Sequence, residues 1–117
     1  MFILSCGRDS AVILGPQWVE KDVEVFVEIR PGIPQVGMNE FLVVATHKDN
    51  KPAYQYIVSI SIKGTDNWRQ SIQDGYSGVY RRAINVNNPA SDVLAVKLEK
   101  GGDTNLLYFP LQTKVNN

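Results

Sequence analysis

The chain has 117 residues, a length that one domain fills and that buries a core without disulfide or metal staples. Its 44% apolar and 21% charged residues are those of a globular protein, not of a disordered tail. Twelve basic residues balance twelve acidic ones, and no basic run exceeds Arg81-Arg82, which argues against a nucleic-acid partner. No stretch approaches the roughly 18 apolar residues of a membrane-spanning helix.

At the N-terminus, Ile3-Leu4-Ser5-Cys6 followed by Gly7 resembles the lipobox that bacterial signal peptidase II cleaves. The resemblance implies lipid attachment at Cys6 and a domain tethered to the membrane of a bacterial envelope. Gly7 after the cysteine implies an outer-membrane lipoprotein facing the periplasm if the host is Gram-negative. Only four residues precede Ser5, too few for a secretory signal, so Met1 is expected to lie inside a longer precursor. The competing reading of Cys6, the single cysteine, is a free thiol near a chain end. Residues 1–21 are expected to hold this residual signal and an irregular lead-in. Within it Ala11-Val12-Ile13-Leu14 is apolar enough to pair along a sheet edge, and Trp18 to dock on the folded part.

From Val23 onward the chain reads as strand after strand. Val23, Val25, Val27 and Ile29 recur with period two. Two prolines and two glycines then mark Arg30–Asn39 as a loop. Glu40–His47 resumes a strand, and Lys48-Asp49-Asn50-Lys51-Pro52 is a polar turn. Tyr54–Lys63 alternates, with Tyr56, Val58, Ile60 and Ile62 inward and Ser59 and Ser61 outward. Trp68–Gln73 reads as a shorter strand, and Asp74–Gly78 as a glycine-rich turn. Val79–Val86, Val93–Leu98 and Asn105–Leu111 complete seven strands. This spacing predicts an all-β, immunoglobulin-like antiparallel β-sandwich over residues 22–113. Its expected core is Val25, Val27, Phe41, Val43, Val58, Ile60, Tyr80, Ile84, Val96 and Leu98, with Tyr80 placed for a corner hydrogen bond.

Little here looks like reaction chemistry. The single histidine, His47, ends a strand beside Lys48 and Asp49 and is expected to face solvent. No serine sits in a Gly-x-Ser-x-Gly elbow, so no catalytic residue is assigned and no enzyme is expected. Met38 and His47 are copper-type ligands, but nine strand residues at about 3.3 Å each hold them ~30 Å apart. Asp66, Asp74, Asp92 and Asp103 stand singly, without calcium-loop spacing. No metal or cofactor site follows. The aromatic residues Tyr54, Trp68 and Tyr76, with Arg69, Arg81 and Arg82, form a candidate recognition surface, since interfaces favour Tyr, Trp and Arg. Trp68 has a second reading, as a plug in one end of the core.

Pro34, Gly37 and Asn39 before Phe41, then Lys51-Pro52, Val58 and Ile60, and Gly78-Val79-Tyr80 follow an ordered pattern. In that order and spacing, residues 23–112 resemble the YtkA-like domain, which is related to the periplasmic part of FixH. The chain departs from that family at Ser91-Asp92-Val93, where relatives carry Gly-x-Trp, and at Gly64–Trp68, where some are methionine-rich. The resemblance implies an envelope-exposed immunoglobulin-like domain. The function expected is that of a non-catalytic envelope lipoprotein domain acting as an interaction module, partnered by an envelope protein. Two alternatives stand beside it. One is a metal-handling or respiratory-complex assembly accessory, and the other a binder of glycosidic or peptidic ligands at the Trp68 end.

Overall fold

The computed structural model describes residues 12–112, which form an all-β sandwich of two antiparallel sheets. In chain order the strands are β1 (Val12–Val19), β2 (Val23–Arg30), β3 (Gly37–His47) and β4 (Ile57–Ile62). They are followed by β5 (Arg69–Gln70), β6 (Ile72–Gln73), β7 (Val79–Val86), β8 (Val93–Lys100) and β9 (Asp103–Pro110). The larger sheet runs β1-β2-β3-β7-β6 and the smaller β5-β4-β8-β9. Without the edge strands β1 and β5, this is the four-plus-three order of an immunoglobulin-like sandwich.

The period-two pattern fixes the faces. Val25, Val27, Phe41, Val43, Val58, Ile60, Tyr80, Ile84, Val96 and Leu98 are all buried between the sheets, joined by Phe109 and Leu111. Tyr56 and Ile62, also expected inward, sit at the rim of this core and are only partly buried. Ser59 and Ser61 do lie at outward register, opposite Lys97 and Ala95, but they are not wet. They are 8% and 1% exposed, and the Ser61 hydroxyl bonds to Thr65 and to the Ile62 carbonyl.

Two strands depart from the seven expected. Val12–Val19 is not irregular but pairs along β2, with its register shifted between Leu14 and Gln17. The Gly15-Pro16 step in that shift has no alternation to show. Trp68–Gln73 is not one strand. Arg69 and Gln70 pair with β4, and Ile72 and Gln73 pair with β7, so the chain changes sheets at the buried Ser71. The backbone N–H of Ser71 still donates to the Val58 carbonyl.

The β3–β4 connection carries the chain from one sheet to the other, and a small set of bonds holds it. The Tyr80 hydroxyl donates to the Ala53 carbonyl at 2.8 Å and accepts from the Tyr56 N–H at 3.2 Å. The expected corner hydrogen bond therefore exists, made from β7 to the crossover. Ala53 N–H donates to Ala45, and Ala45 N–H to Gly78. Gly78 has φ +80°, and a Cβ there would stand 2.6 Å from the Ala45 carbonyl oxygen.

Gly78→Ala should therefore cost more than about 2 kcal/mol, combining left-handed strain with a clash against backbone. Gly101→Ala, at φ +58° in open space, should cost only about 1 kcal/mol in the same urea denaturation series. Tyr80→Phe strands the buried Ala53 carbonyl and the partly buried Tyr56 N–H and should cost about 1–3 kcal/mol. Burial pushes the Tyr80 phenol above its ordinary value, while the bond from Tyr56 N–H partly offsets this. The raised folded-state value makes stability complete below the unfolded phenol pKa of about 10 and lost as pH rises above it. Tyr56 is raised too, by burial and then by Glu20 and Asp22. Denaturation between neutral and alkaline pH should thus show an alkaline decline that is shallower, but not absent, in Tyr80→Phe.

Candidate binding surfaces

The six residues expected to make one recognition surface are distributed over four places. Arg81 and Arg82 are consecutive in β7 and so point to opposite faces. Arg81 lies on the outer face of the larger sheet, at the register of Leu42 and Ile72. It is engaged there by Glu40 at 3.2 Å and Asp74 at 4.0 Å. Tyr54 and Tyr76 meet edge to face, 5.2 Å between centroids, at the end of the sandwich that holds the crossover. Tyr76 is 78% exposed, and the Gln73 side chain bonds to the Tyr54 carbonyl beside it.

Trp68 is neither a core plug nor a free platform. It does not belong to the buried cluster between the sheets. The Lys97 ammonium stands 4.5 Å from its ring centre on the outer face of the smaller sheet, and Lys63 caps Tyr108 on that sheet at 4.9 Å. A ring face covered by an ammonium is closed to stacking by a sugar.

Arg69 and Arg82 are brought together. Arg82 is opposite Phe41 and shares the register of Tyr80 and Ile84, while Arg69 is opposite Ile60. Both thus occupy core-facing positions, one on each sheet. No core exists at that margin to bury them, because the sheets open into a cleft of about 610 Å³. Its walls are the Ile62–Asn67 turn and Arg69 on one side and Arg82–Asn85 of β7 with Asn87 on the other, with Ile62 and Ile84 between. Neither arginine has a carboxylate within ion-pair distance among the described residues. Asp92 also lines the cleft, but its Oδ2 accepts the N–H groups of Asn87 and Asn88.

The cleft exposes backbone as well. β6 pairs with β7 only at Arg81 and Tyr80, leaving the rest of β7 without a neighbour on that side. The Asp74 N–H donates to the Val79 carbonyl, which sets the direction in which odd-numbered residues turn their peptide groups. Ala83 and Asn85 therefore aim N–H and C=O past the end of β6 into the cleft. Both are exposed. The signal for this site was present in the sequence: an arginine within the inward set Tyr80, Arg82, Ile84, Val86 marks the place where the sandwich is not closed.

The other end of the sandwich holds His47, with Asp22, Glu20, Asp103, Tyr56 and Lys100 around a shallower hollow of about 320 Å³. Among the described residues no three His, Cys, Asp or Glu side chains are grouped to hold a metal ion. Met38 and His47 stand at opposite ends of β3. Cys6, the expected lipid attachment point, lies outside the described residues. Titration of a Cys6→Ser chain with copper or zinc should give no affinity tighter than about micromolar, since tight sites need three or four ligands. A stoichiometric submicromolar site lost in His47→Ala would contradict this. Comparison of the chain with protein-family models, with curated proteins and with solved structures finds no match.

Proposed function

We propose that this chain is a non-catalytic envelope lipoprotein domain whose sandwich serves as a binding module, with the seam between the sheets as its contact site. The observation that carries the reading is the pair Arg69 and Arg82, held at core-facing register in an open cleft with no carboxylate partner among the described residues. A purely structural strand has no reason to place a cation in the inward set. The lipobox-like sequence around Cys6 supports the envelope address, and the YtkA-like pattern supports the same compartment. The metal-handling alternative finds no group of three His, Cys, Asp or Glu side chains among the described residues.

Two measurements test the two halves. Expression of the precursor with labelled palmitate should give a lipidated product that disappears in Cys6→Ser. Equal labelling of both would remove the anchor. A photo-reactive residue at Asn85, in cells of the native host, should give a discrete envelope adduct that Arg82→Gln weakens. The same residue at Thr104, on the far side of the smaller sheet, should give none. Absence of any adduct at Asn85, or an equal adduct at Thr104, would overturn the seam as the contact site.

A further inference from the structure

We propose that the seam takes an extended acidic peptide segment, which adds as a strand to the free half of β7 and sets carboxylates against Arg69 and Arg82. This rests on the binding-module reading and names its ligand class. The backbone argument comes first. Arg82–Val86 is paired with β3 on one side only, since β6 ends at Arg81. Ala83 and Asn85 present two N–H donors and two C=O acceptors in strand geometry, which is what a β-addition partner needs. The side chains of an added strand would alternate between the outer face and the cleft.

Inside the cleft, the inward positions of such a strand face Arg82, then Ile84, on β7 and Arg69 across the gap. Residues at every second position of the ligand would thus meet a cation, an aliphatic patch and a cation. Lys63 lines the same cleft, but its ammonium is turned over Tyr108, so the two guanidinium groups supply the charge. Asp92 keeps its charge in the cleft but pairs with the backbone of its own loop and makes no ion pair with either arginine, so the cations outnumber it. Guanidinium favours carboxylate by geometry as well as charge. An acidic strand fits both walls, and a basic one would set like charges together.

The probe is an acetylated, amidated hexapeptide in which threonine alternates with glutamate, valine and glutamate. Amide-resolved NMR of the full chain should show saturable shifts at Ala83 and Asn85. Replacing both glutamates by lysine should weaken binding at least about tenfold, the size of one charge-assisted hydrogen bond. Arg82→Gln, which removes one pair at a solvent-open rim, should weaken it about two- to fivefold. N-methylation of alternate peptide nitrogens should remove binding, because the ladder then lacks donors. Asn85→Pro should also remove it, since the N–H lost is one that the β3 ladder does not use, and an unchanged melting temperature shows that the fold survives. No shift at millimolar peptide, or binding indifferent to N-methylation, or equal binding of the lysine peptide, would overturn the proposal. Failure here with a retained Asn85 adduct in cells leaves the seam as a contact site with another ligand. Loss of both removes the seam.

Discussion

Everything in this sandwich depends on how the chain leaves one sheet and enters the other after β3, and Gly78 makes that departure possible. The Ala45 carbonyl lies where a side chain on residue 78 would be, so only a hydrogen permits β3, β7 and the crossover to converge. Ala45 then bonds both neighbours, accepting from Ala53 and donating to Gly78. Two residues on, the Tyr80 hydroxyl donates to the carbonyl of the buried Ala53 and accepts from Tyr56 N–H, so neither group is left unpaired. Neighbouring residues thereby supply both the close backbone approach, at Gly78, and the side-chain bonds to the crossover, at Tyr80. The core can form as two sheets because this junction sets their separation.

The margins of the sandwich are treated unequally. On one margin β1 and β9 face each other, and the Gln17 side chain reaches the Tyr108 carbonyl across the gap. On the other, a six-residue segment must serve both sheets and gives only two residues to each. Ser71, at the switch, has a buried hydroxyl with no partner among the described residues. The segment therefore cannot cover the full length of β7, and the opening follows from its shortness. The cleft is thus a consequence of topology that residue choice has made cationic.

How much was legible depended on whether alternation was intact. β2, β4 and β7 alternate over six residues or more, and the expected core positions of these strands and of β3 and β8 are buried, with Ile62 at the rim of β4 the partly buried exception. β1 was legible only in its first residues because Gly15-Pro16 shifts its register and breaks the pattern. Trp68–Gln73 reads as one strand because sequence gives no sign of which sheet a residue joins. Grouping Arg81 with Arg82 treated neighbours in sequence as neighbours in space, and a strand sends them apart. The residues that carry the YtkA-like resemblance all prove to build the fold. Asn39 bonds Gln35 and Gly37 to shape the proline loop, Pro52 bridges to Thr46, and Gly78 and Tyr80 fix the crossover. The residues that carry the pattern therefore speak for architecture, and Arg69 and Arg82 of the seam are not among them.

On the proposed reading, the strength of the contact is limited by its construction. The free edge offers about four backbone hydrogen bonds, each worth only about 1 kcal/mol net in water. The two guanidinium groups sit at a solvent-open rim, where an ion pair adds about 0–1 kcal/mol and weakens with salt. Such a sum leaves weak affinity after the entropic cost of ordering an extended segment. A lipid on Cys6 would change the outcome without changing a contact. Confining module and partner to the same membrane turns a bimolecular encounter into one at high effective concentration. A weak, shape-tolerant edge and an anchor are then complementary halves of one device, and neither alone would hold a partner for long.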